Sequence, residues 1–172
     1  MLQSIQRADH ALYASITDRK YAANIATVAR WVSRSGDGHL YLVLGVLAML
    51  LDGQHGTQFF IVALTAFAFE LPFYFVIKNV FKRNRPCEVL LALPAFVKPS
   101  DKFSLPSGHT AAAFIMATVV AQFYPDIASL CYAWAALIGA SRVLLRVHFP
   151  TDILCGFALG ASAAWISLAM WV

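Results

Sequence analysis

The stretch 141–152 places four groups that could do chemistry between two strongly apolar runs: Arg142, Arg146, His148 and Asp152. Charged groups at the boundary of a membrane helix are costly unless they have a function. Asp152 follows His148 by four residues, so it can accept the Nδ1–H, fix the tautomer and leave Nε2 free to attack. The guanidinium of Arg142 can bind two phosphate oxygens. We therefore interpret His148 as a nucleophile, Asp152 as its orienting partner and Arg142 as a phosphate ligand.

Two further segments carry groups suited to a phosphate. Lys78 and Arg85 supply permanent positive charge. Ser107 and Gly108 stand at the start of an apolar run, where the N–H groups of a helix bind anions and a glycine lets an oxygen approach closely. His109 lies beside this cradle and can protonate a leaving oxygen, then take a proton from water. The pattern fits phosphoryl transfer through a phosphohistidine, catalysed by positioning and charge.

The composition predicts that membrane helices hold these residues. The 172 residues are 60% hydrophobic and 13% charged, with a mean hydropathy of +0.67, and a spanning helix needs about 20 mostly apolar residues. We expect an all-α integral membrane bundle of about five spans, within a single domain covering 1–172. The first predicted span is short and needs a thinned bilayer or burial among other helices. The predicted spans are 38–52, 57–78, 108–124, 127–145 and 151–172.

The segment 1–35 is predicted to form amphipathic helices outside the transmembrane catalytic bundle of 38–172. Its apolar residues recur at helical spacing with charged residues between them, which is too polar for a span. Such helices lie in the membrane interface, with Trp31 at headgroup level, or pack on the outside of the bundle. Both arrangements remain open.

The connection 79–105 is basic and interrupted by prolines. Its apolar piece, 89–97, is too short and too broken to cross a bilayer, which favours a re-entrant or interfacial element.

Five spans beginning at residue 38 place the basic segments on one side of the membrane. The segments 1–37, 79–107 and 142–150 share that side, and all 13 Lys and Arg residues lie there or at span ends that open onto it. Folding should therefore bring three distant basic segments together. The positive-inside bias puts this side in the cytoplasm.

Other charged residues have simpler interpretations. Glu70 lies within the second span and either supports the site through Lys78 or hydrogen-bonds to a neighbouring helix. Arg146 and Lys82 are interpreted as headgroup or snorkelling cations.

Three histidines have no partner in the sequence and are left out of the site: His10, His39 and His55. Asp37 and His39 lie near the active side, so a peripheral role is open for both.

Metal, nucleic-acid and redox sites are not predicted. The sequence has no HxH or HExxH pattern, and clustered Lys and Arg repel a cation, so we expect neither a metal nor another cofactor. A net charge of +4 is usual for a basic membrane protein and does not indicate nucleic acid. Cys87, Cys131 and Cys155 form no CxxC pair, and Cys131 and Cys155, which lie inside apolar runs, are interpreted as small buried hydrophobic residues.

Three motifs occur in order: KxxxxxxRP at 78–86, PSGH at 106–109 and SRxxxxxHxxxD at 141–152. They resemble the signature motifs of the type-2 phosphatidic acid phosphatase superfamily, which also includes the vanadium haloperoxidases. The resemblance implies metal-independent hydrolysis. Members commonly have six spans, and here the segment 1–35 takes the place of the first. The resemblance implies that phosphate is held by Lys78, Arg85, Ser107, Gly108 and Arg142, with His109 as general acid, His148 as nucleophile and Asp152 as its partner.

The expected function is hydrolysis of the terminal phosphate of a membrane lipid in a bacterial inner membrane. The substrate is an isoprenoid diphosphate such as undecaprenyl diphosphate, which we favour, or a phospholipid phosphate such as phosphatidylglycerophosphate or phosphatidic acid. Lipid-recycling members of the family suggest a site outside the cytoplasm, against the charge bias. The sequence does not decide the oligomeric state.

Two other functions remain open. A lipid phosphotransferase would pass the phosphoryl group to another lipid. A non-catalytic binder of anionic lipids would need only the cations, so His109, His148 and Asp152 argue against it. A haloperoxidase would need no membrane segments.

Overall fold

The computed structural model describes residues 2–17, 22–89 and 94–172, and the described part of the chain is helical without strands. The all-α prediction is confirmed. Each predicted span corresponds to a helix with ends within a few residues of those expected. In chain order the helices are α1 (Leu2–Thr17), α2 (Ala22–Arg34), α3 (Gly38–Leu51), α4 (Gly53–Phe81), α5 (Pro86–Val89), α6 (Gly108–Phe123), α7 (Ala128–Leu144) and α8 (Pro150–Trp171), with a 3₁₀ turn at Pro125–Ile127.

The helices differ in their fitness to cross a membrane. Three stretches of the described chain are long and apolar enough: Gly53–Val89, Pro125–Leu144 and Pro150–Trp171. Helices α3 and α6 are apolar but shorter. These helices support an integral membrane protein, and the number of five spans stays a prediction.

Helix α6 lies at the centre of the bundle, packed against α4, α7 and α8. The approach of α8 is close because of its glycines. A Cβ on Gly156 would stand 2.5 Å from the Ser107 carbonyl oxygen, and one on Gly160 would stand 2.2 Å from that of Ala111. Both distances are shorter than van der Waals contact, so only glycine permits this packing. The start of α8 is thereby held against the start of α6, and the Ser107 N–H donates to the Asp152 carbonyl oxygen at 3.1 Å.

The N-terminal helices pack on the outside of the bundle. Helix α2 lies along α7, and α1 contacts α7 and α8. Their inward faces bury Asp9, Tyr13 and Ala26, whereas Val28 and Trp31 on α2 are 64% and 68% exposed. The outward face of α2 thus exposes two large apolar side chains beside polar ones, as in a helix that lies in the membrane interface. That location for 1–35 remains a prediction.

The predicted element at 89–97 falls partly outside the described residues. Of its described residues, Val89 ends α5. The stretch 94–97 lies against the end of α7, where the Phe96 N–H donates to the Leu145 carbonyl oxygen at 3.1 Å. Phe96 also packs with the buried side chains of Leu145 and Val147. The connection is therefore folded over the end of the bundle that carries the basic residues.

Candidate active site

The three motif segments meet at one end of the bundle. Arg85 Nη1 donates to the Val147 carbonyl oxygen at 2.7 Å and lies 3.4 Å from His148 Nε2, which joins the first motif to the third. The Ser107 N–H joins the second motif to Asp152. The structure therefore brings together residues from all three segments.

The predicted nucleophile lies in the short connection between α7 and α8. His148 is 3% exposed and Asp152 is fully buried, with 3.5 Å between His148 Nδ1 and Asp152 Oδ2. At this distance Nδ1 has no hydrogen-bond partner within the described residues, so the two groups are paired by proximity and the predicted hydrogen bond is not formed. The same Oδ2 accepts the Phe149 N–H at 2.8 Å, which caps α8 at Pro150. Burial lowers the pKa of His148 to about 4, although the Asp152 carboxylate acts in the opposite direction. The imidazole is therefore neutral at pH 7, as a nucleophile must be.

Sequence reasoning missed Arg83, which binds the other oxygen of Asp152. Its Nη1 donates to Asp152 Oδ1 at 2.8 Å and to Thr151 Oγ1 at 2.6 Å, and its Nη2 donates to Asp9 on α1. The guanidinium also stacks 4.3 Å from the centre of the Phe149 ring. Asp9 in turn accepts the N–H and the hydroxyl of Thr151. Helix α1 is thus tied to the partner of the nucleophile.

Asp101 is the second residue that was missed, and it lies among the predicted phosphate ligands. Its Oδ1 accepts from Lys78 Nζ at 2.8 Å and from Arg85 Nη2 at 2.7 Å, and its Oδ2 accepts from the Tyr74 hydroxyl at 2.8 Å. Burial alone would raise the pKa of Asp101, but the hydrogen bonds from Lys78 and Tyr74 hold it below its ordinary value. An ionised carboxylate therefore occupies the donors that are predicted to hold phosphate.

The third predicted cation, Arg142, approaches from the last turn of α7. Its Nη1 donates to Ser33 Oγ at 2.6 Å. Its buried Nε has no hydrogen-bond partner in the part of the chain that the structure describes, which leaves a donor for a ligand. Ser107, whose hydroxyl accepts from Thr110 Oγ1 at 2.9 Å, immediately precedes α6, and Gly108 opens it against the Tyr74 ring.

His109 is the more accessible of the two predicted catalytic histidines. Its side chain is 25% exposed, and its Nε2 lies 3.0 Å from Asp37 Oδ1, in the turn between α2 and α3. The sequence indicated Asp37 only as a peripheral residue.

Two cavities meet at this second histidine–aspartate pair. An apolar groove of about 440 Å³ runs between α3 and α4 and ends at Asp37, Gly108 and His109. A smaller basic pocket of about 310 Å³ is lined by the cations Arg30, Arg34, Lys98 and Arg142. Among the residues that the structure describes, only Asp37 and His109 line both cavities. His148 lines neither cavity, and neither do Lys78 and Arg85.

The predictions for residues outside the proposed site have different outcomes. Arg146 is not a snorkelling cation, because its side chain is 8% exposed and its guanidinium lies over the Phe96 ring at 4.6 Å. Lys82 is exposed, and its role as a headgroup cation stays a prediction. Cys155 is exposed, so its interpretation as a buried residue is wrong, and Cys131 is partly buried. Glu70 is buried in the wall of the apolar groove, while Lys78 bonds to Asp101 and to the Phe103 carbonyl oxygen, so the structure gives no support to a Glu70–Lys78 pair.

The remaining histidines lie outside this constellation. His55 pairs with Asp52 at the other end of the bundle, and His10 stacks on the Phe149 ring. Among the described residues, no group of three or more His, Cys, Asp or Glu side chains is arranged to hold a metal ion.

Comparisons with known proteins find a matching family profile and related phosphatases. The sequence profile of the PAP2 superfamily matches residues 56–172. The chain is 27% identical over 161 residues to decaprenylphosphoryl-5-phosphoribose phosphatase of Mycobacterium tuberculosis, covering 91% of this chain and 84% of that protein. It is 30% identical over 139 residues to undecaprenyl-diphosphatase of Sulfolobus acidocaldarius, covering 76% and 62% respectively. The crystal structure of Aquifex aeolicus LpxE superposes with a TM-score of 0.81 at 26% identity, covering 92% of this chain and 93% of that one.

Proposed function

The chain belongs to the PAP2 superfamily and is a membrane phosphatase, and we propose that it removes the terminal phosphate of a polyprenyl lipid through a phosphohistidine on His148. The site contains a neutral imidazole, a general acid and a set of fixed cations. These groups are sufficient for phosphoryl transfer by positioning and charge.

In the first step His148 Nε2 attacks phosphorus, and the bond between phosphorus and the leaving oxygen breaks. The electron pair of that bond passes to the oxygen, which takes a proton from His109. Arg85 lies next to Nε2 and, with Lys78 and Arg142, stabilises the charge on the phosphoryl oxygens. Asp152 holds the imidazole and stabilises its positive charge as the P–N bond forms.

In the second step water attacks the phosphohistidine. The neutral His109 takes a proton from the water as its oxygen bonds to phosphorus. The P–N bond breaks, its electron pair returns to His148 Nε2, and inorganic phosphate leaves. Both histidines then return to their starting protonation states.

The observation that carries the lipid assignment is the meeting of the two cavities at His109. A lipid phosphate has a charged end and a hydrocarbon end, joined by the ester oxygen that must be protonated. The basic pocket suits the first and the apolar groove suits the second, and the general acid lies where they join. A site for a small soluble phosphate would not need the groove.

The polyprenyl assignment rests on the names of two relatives. The proteins of M. tuberculosis and S. acidocaldarius are named for decaprenyl and undecaprenyl substrates. The groups at the site recognise only phosphate, so a phospholipid phosphate is the alternative.

A phosphate-release screen in detergent tests the function. The panel comprises undecaprenyl diphosphate, phosphatidylglycerophosphate and phosphatidic acid, with His148→Ala as the inactive control. We expect release of inorganic phosphate without added metal, fastest from undecaprenyl diphosphate, and inhibition by vanadate, which mimics the trigonal transition state. Loss of activity with a chelator would contradict the metal-free mechanism. Transfer of phosphate to a second lipid, without its release, would identify a phosphotransferase.

The orientation in the membrane needs a separate measurement. We propose an inner-membrane location, and a single cysteine placed within 98–102, in a chain whose three native cysteines are replaced, would report the side by labelling on intact cells. Labelling by an impermeant reagent would place the site outside the cytoplasm.

A further inference from the structure

The turn between α2 and α3 carries a carboxylate that is not used to cap the helix. Asp37 is the N-cap residue of α3, a position where an aspartate normally accepts an N–H of the first turn. Its side chain makes no such bond. Instead Asp37 Oδ1 lies 3.0 Å from His109 Nε2, a residue 72 positions further along the chain.

The position of this carboxylate is well defined. The turn is closed by the Gly36 N–H to the Ser33 carbonyl oxygen and by the Asp37 N–H to the Arg34 carbonyl oxygen. Gly36 packs so closely on α7 that a Cβ would stand 2.9 Å from Ile138. Ser33 accepts from Arg142 at 2.6 Å. The turn is therefore anchored to the helix that also supplies a phosphate ligand.

The positive charge near His109 disfavours a protonated imidazole, and this carboxylate acts against that effect. Arg142 and His109 line the same basic pocket, and a nearby guanidinium disfavours a second positive charge. A general acid must nevertheless carry its proton when the substrate is bound. A carboxylate hydrogen-bonded to the ring stabilises the imidazolium and so opposes the effect of the guanidinium.

We propose that Asp37 is a positioning residue for the reaction, which holds His109 in the orientation and protonation state of a general acid. This inference rests on the proposed function. Asp37 accepts the Nε2–H, so Nδ1 is the nitrogen that gives its proton to the leaving oxygen. As the P–O bond breaks, the ring becomes neutral and keeps its hydrogen bond to Asp37. The same Nδ1 then takes the proton from water.

The test compares two leaving groups of different basicity on the same hydrocarbon chain. Dodecyl phosphate releases an alkoxide, which needs a proton. A nitrophenyl phosphate that carries a dodecyl chain releases a nitrophenolate, which does not. The quantity measured is kcat/KM, because it reports steps up to the departure of the leaving group and excludes hydrolysis of the phosphoenzyme.

For Asp37→Asn we expect kcat/KM on dodecyl phosphate to fall about 10- to 100-fold, which is part of the rate enhancement that a general acid contributes. On the aryl phosphate we expect kcat/KM to fall less than about threefold. Asparagine keeps the shape of the side chain and removes its charge. Any effect on phosphate affinity is common to both substrates and cancels in their ratio. The matched control is Asp126→Asn, an exposed carboxylate beyond α6, which should leave both substrates unchanged.

A double-mutant cycle gives a second test. In the His109→Ala background, Asp37→Asn should change kcat/KM on dodecyl phosphate by less than about threefold, because a partner acting only through His109 has nothing left to act on. A further tenfold loss would overturn the inference. So would an equal loss on the alkyl and aryl substrates, or no loss on either. If the unmutated protein hydrolyses neither substrate, the proposed function fails; if it hydrolyses both, only the role of Asp37 is at issue.

Discussion

The two histidine–aspartate pairs of this protein differ in burial, in contact distance and in the nitrogen that each carboxylate faces. In the first pair, the exposed fractions of His148 and Asp152 are 3% and 0%, and Nδ1 lies 3.5 Å from the carboxylate. In the second pair, His109 and Asp37 are 25% and 37% exposed, and Nε2 lies 3.0 Å from the carboxylate.

The difference follows from what each histidine must meet. A nucleophile works best when it is neutral and fixed in position, and His148 is enclosed by the Arg85 guanidinium and the first turn of α8. A general acid must meet the lipid oxygen first and a water molecule later, so it cannot be enclosed. His109 stands where the apolar groove and the basic pocket join.

Removing each imidazole tests the comparison most directly. His148→Ala should lower kcat by about 10⁴-fold or more on both alkyl and aryl phosphates, since no covalent intermediate can form. His109→Ala should lower kcat/KM about 10²- to 10⁴-fold on an alkyl phosphate and much less on an aryl phosphate. Trapping of radiolabelled phosphoenzyme provides the check: label on His148→Ala would contradict the assignment of the nucleophile.

The buried pair should also depend on Arg83, which forms an ion pair with the carboxylate of Asp152. Arg83→Gln leaves the carboxylates of Asp9 and Asp152 without their shared cation. We expect single-turnover phosphoenzyme formation to slow by about 10- to 100-fold, because a misplaced catalytic group is costly. The neighbouring Lys82→Gln is the matched control, since Lys82 is exposed. Equal rates for the two variants would show that Asp152 does not need this support.

The smallest expected effect is on stability. His148 stays neutral in the fold down to about pH 4, whereas its ordinary pKa is 6.5. As pH falls through this window the unfolded chain binds a proton that the folded chain does not, so the fold is destabilised, by up to about 3 kcal/mol in total. The thermal midpoint in detergent should therefore drop between pH 7 and pH 5, and drop less in His148→Asn. An equal drop in both would contradict a buried neutral His148.

The sequence was informative wherever a residue had to stand at the end of a helix. Apolar run lengths predicted α4, α6, α7 and α8 closely, and the pattern around Ser141–Asp152 predicted a histidine just before the first turn of α8. The three motifs were predicted to meet because the predicted spans place all three on one side of the membrane. Helix ends depend on the local sequence, and the side of the membrane depends on the order of the spans. Both can therefore be predicted from a single sequence.

The partners in the ion pairs of the site could not be predicted from the sequence. Asp101 lies in a basic connection, and only the fold shows that its carboxylate meets Lys78 and Arg85. Asp9 resembled the polar face of an amphipathic helix, yet it is 3% exposed. One signal was available for Arg83, which stands two residues before Arg85 on the same turn of chain as the first motif. Its partner Asp152 was 69 residues away.

If Lys78 and Arg85 hold phosphate as proposed, the carboxylate of Asp101 competes with any anion that approaches them. It is tethered beside Lys78 and Arg85, so its effective concentration there is high and does not change with dilution. The common phosphodiester lipids of a bilayer carry a single negative charge on the phosphate and gain little by replacing a carboxylate that already bonds both cations. A terminal phosphate carries close to two charges at neutral pH and three acceptor oxygens, so it can displace Asp101 where they cannot. Most lipids of a membrane are phosphodiesters. On this assignment, the ion pairs of Asp101 with Lys78 and Arg85 would favour binding of the few headgroups that carry a terminal phosphate.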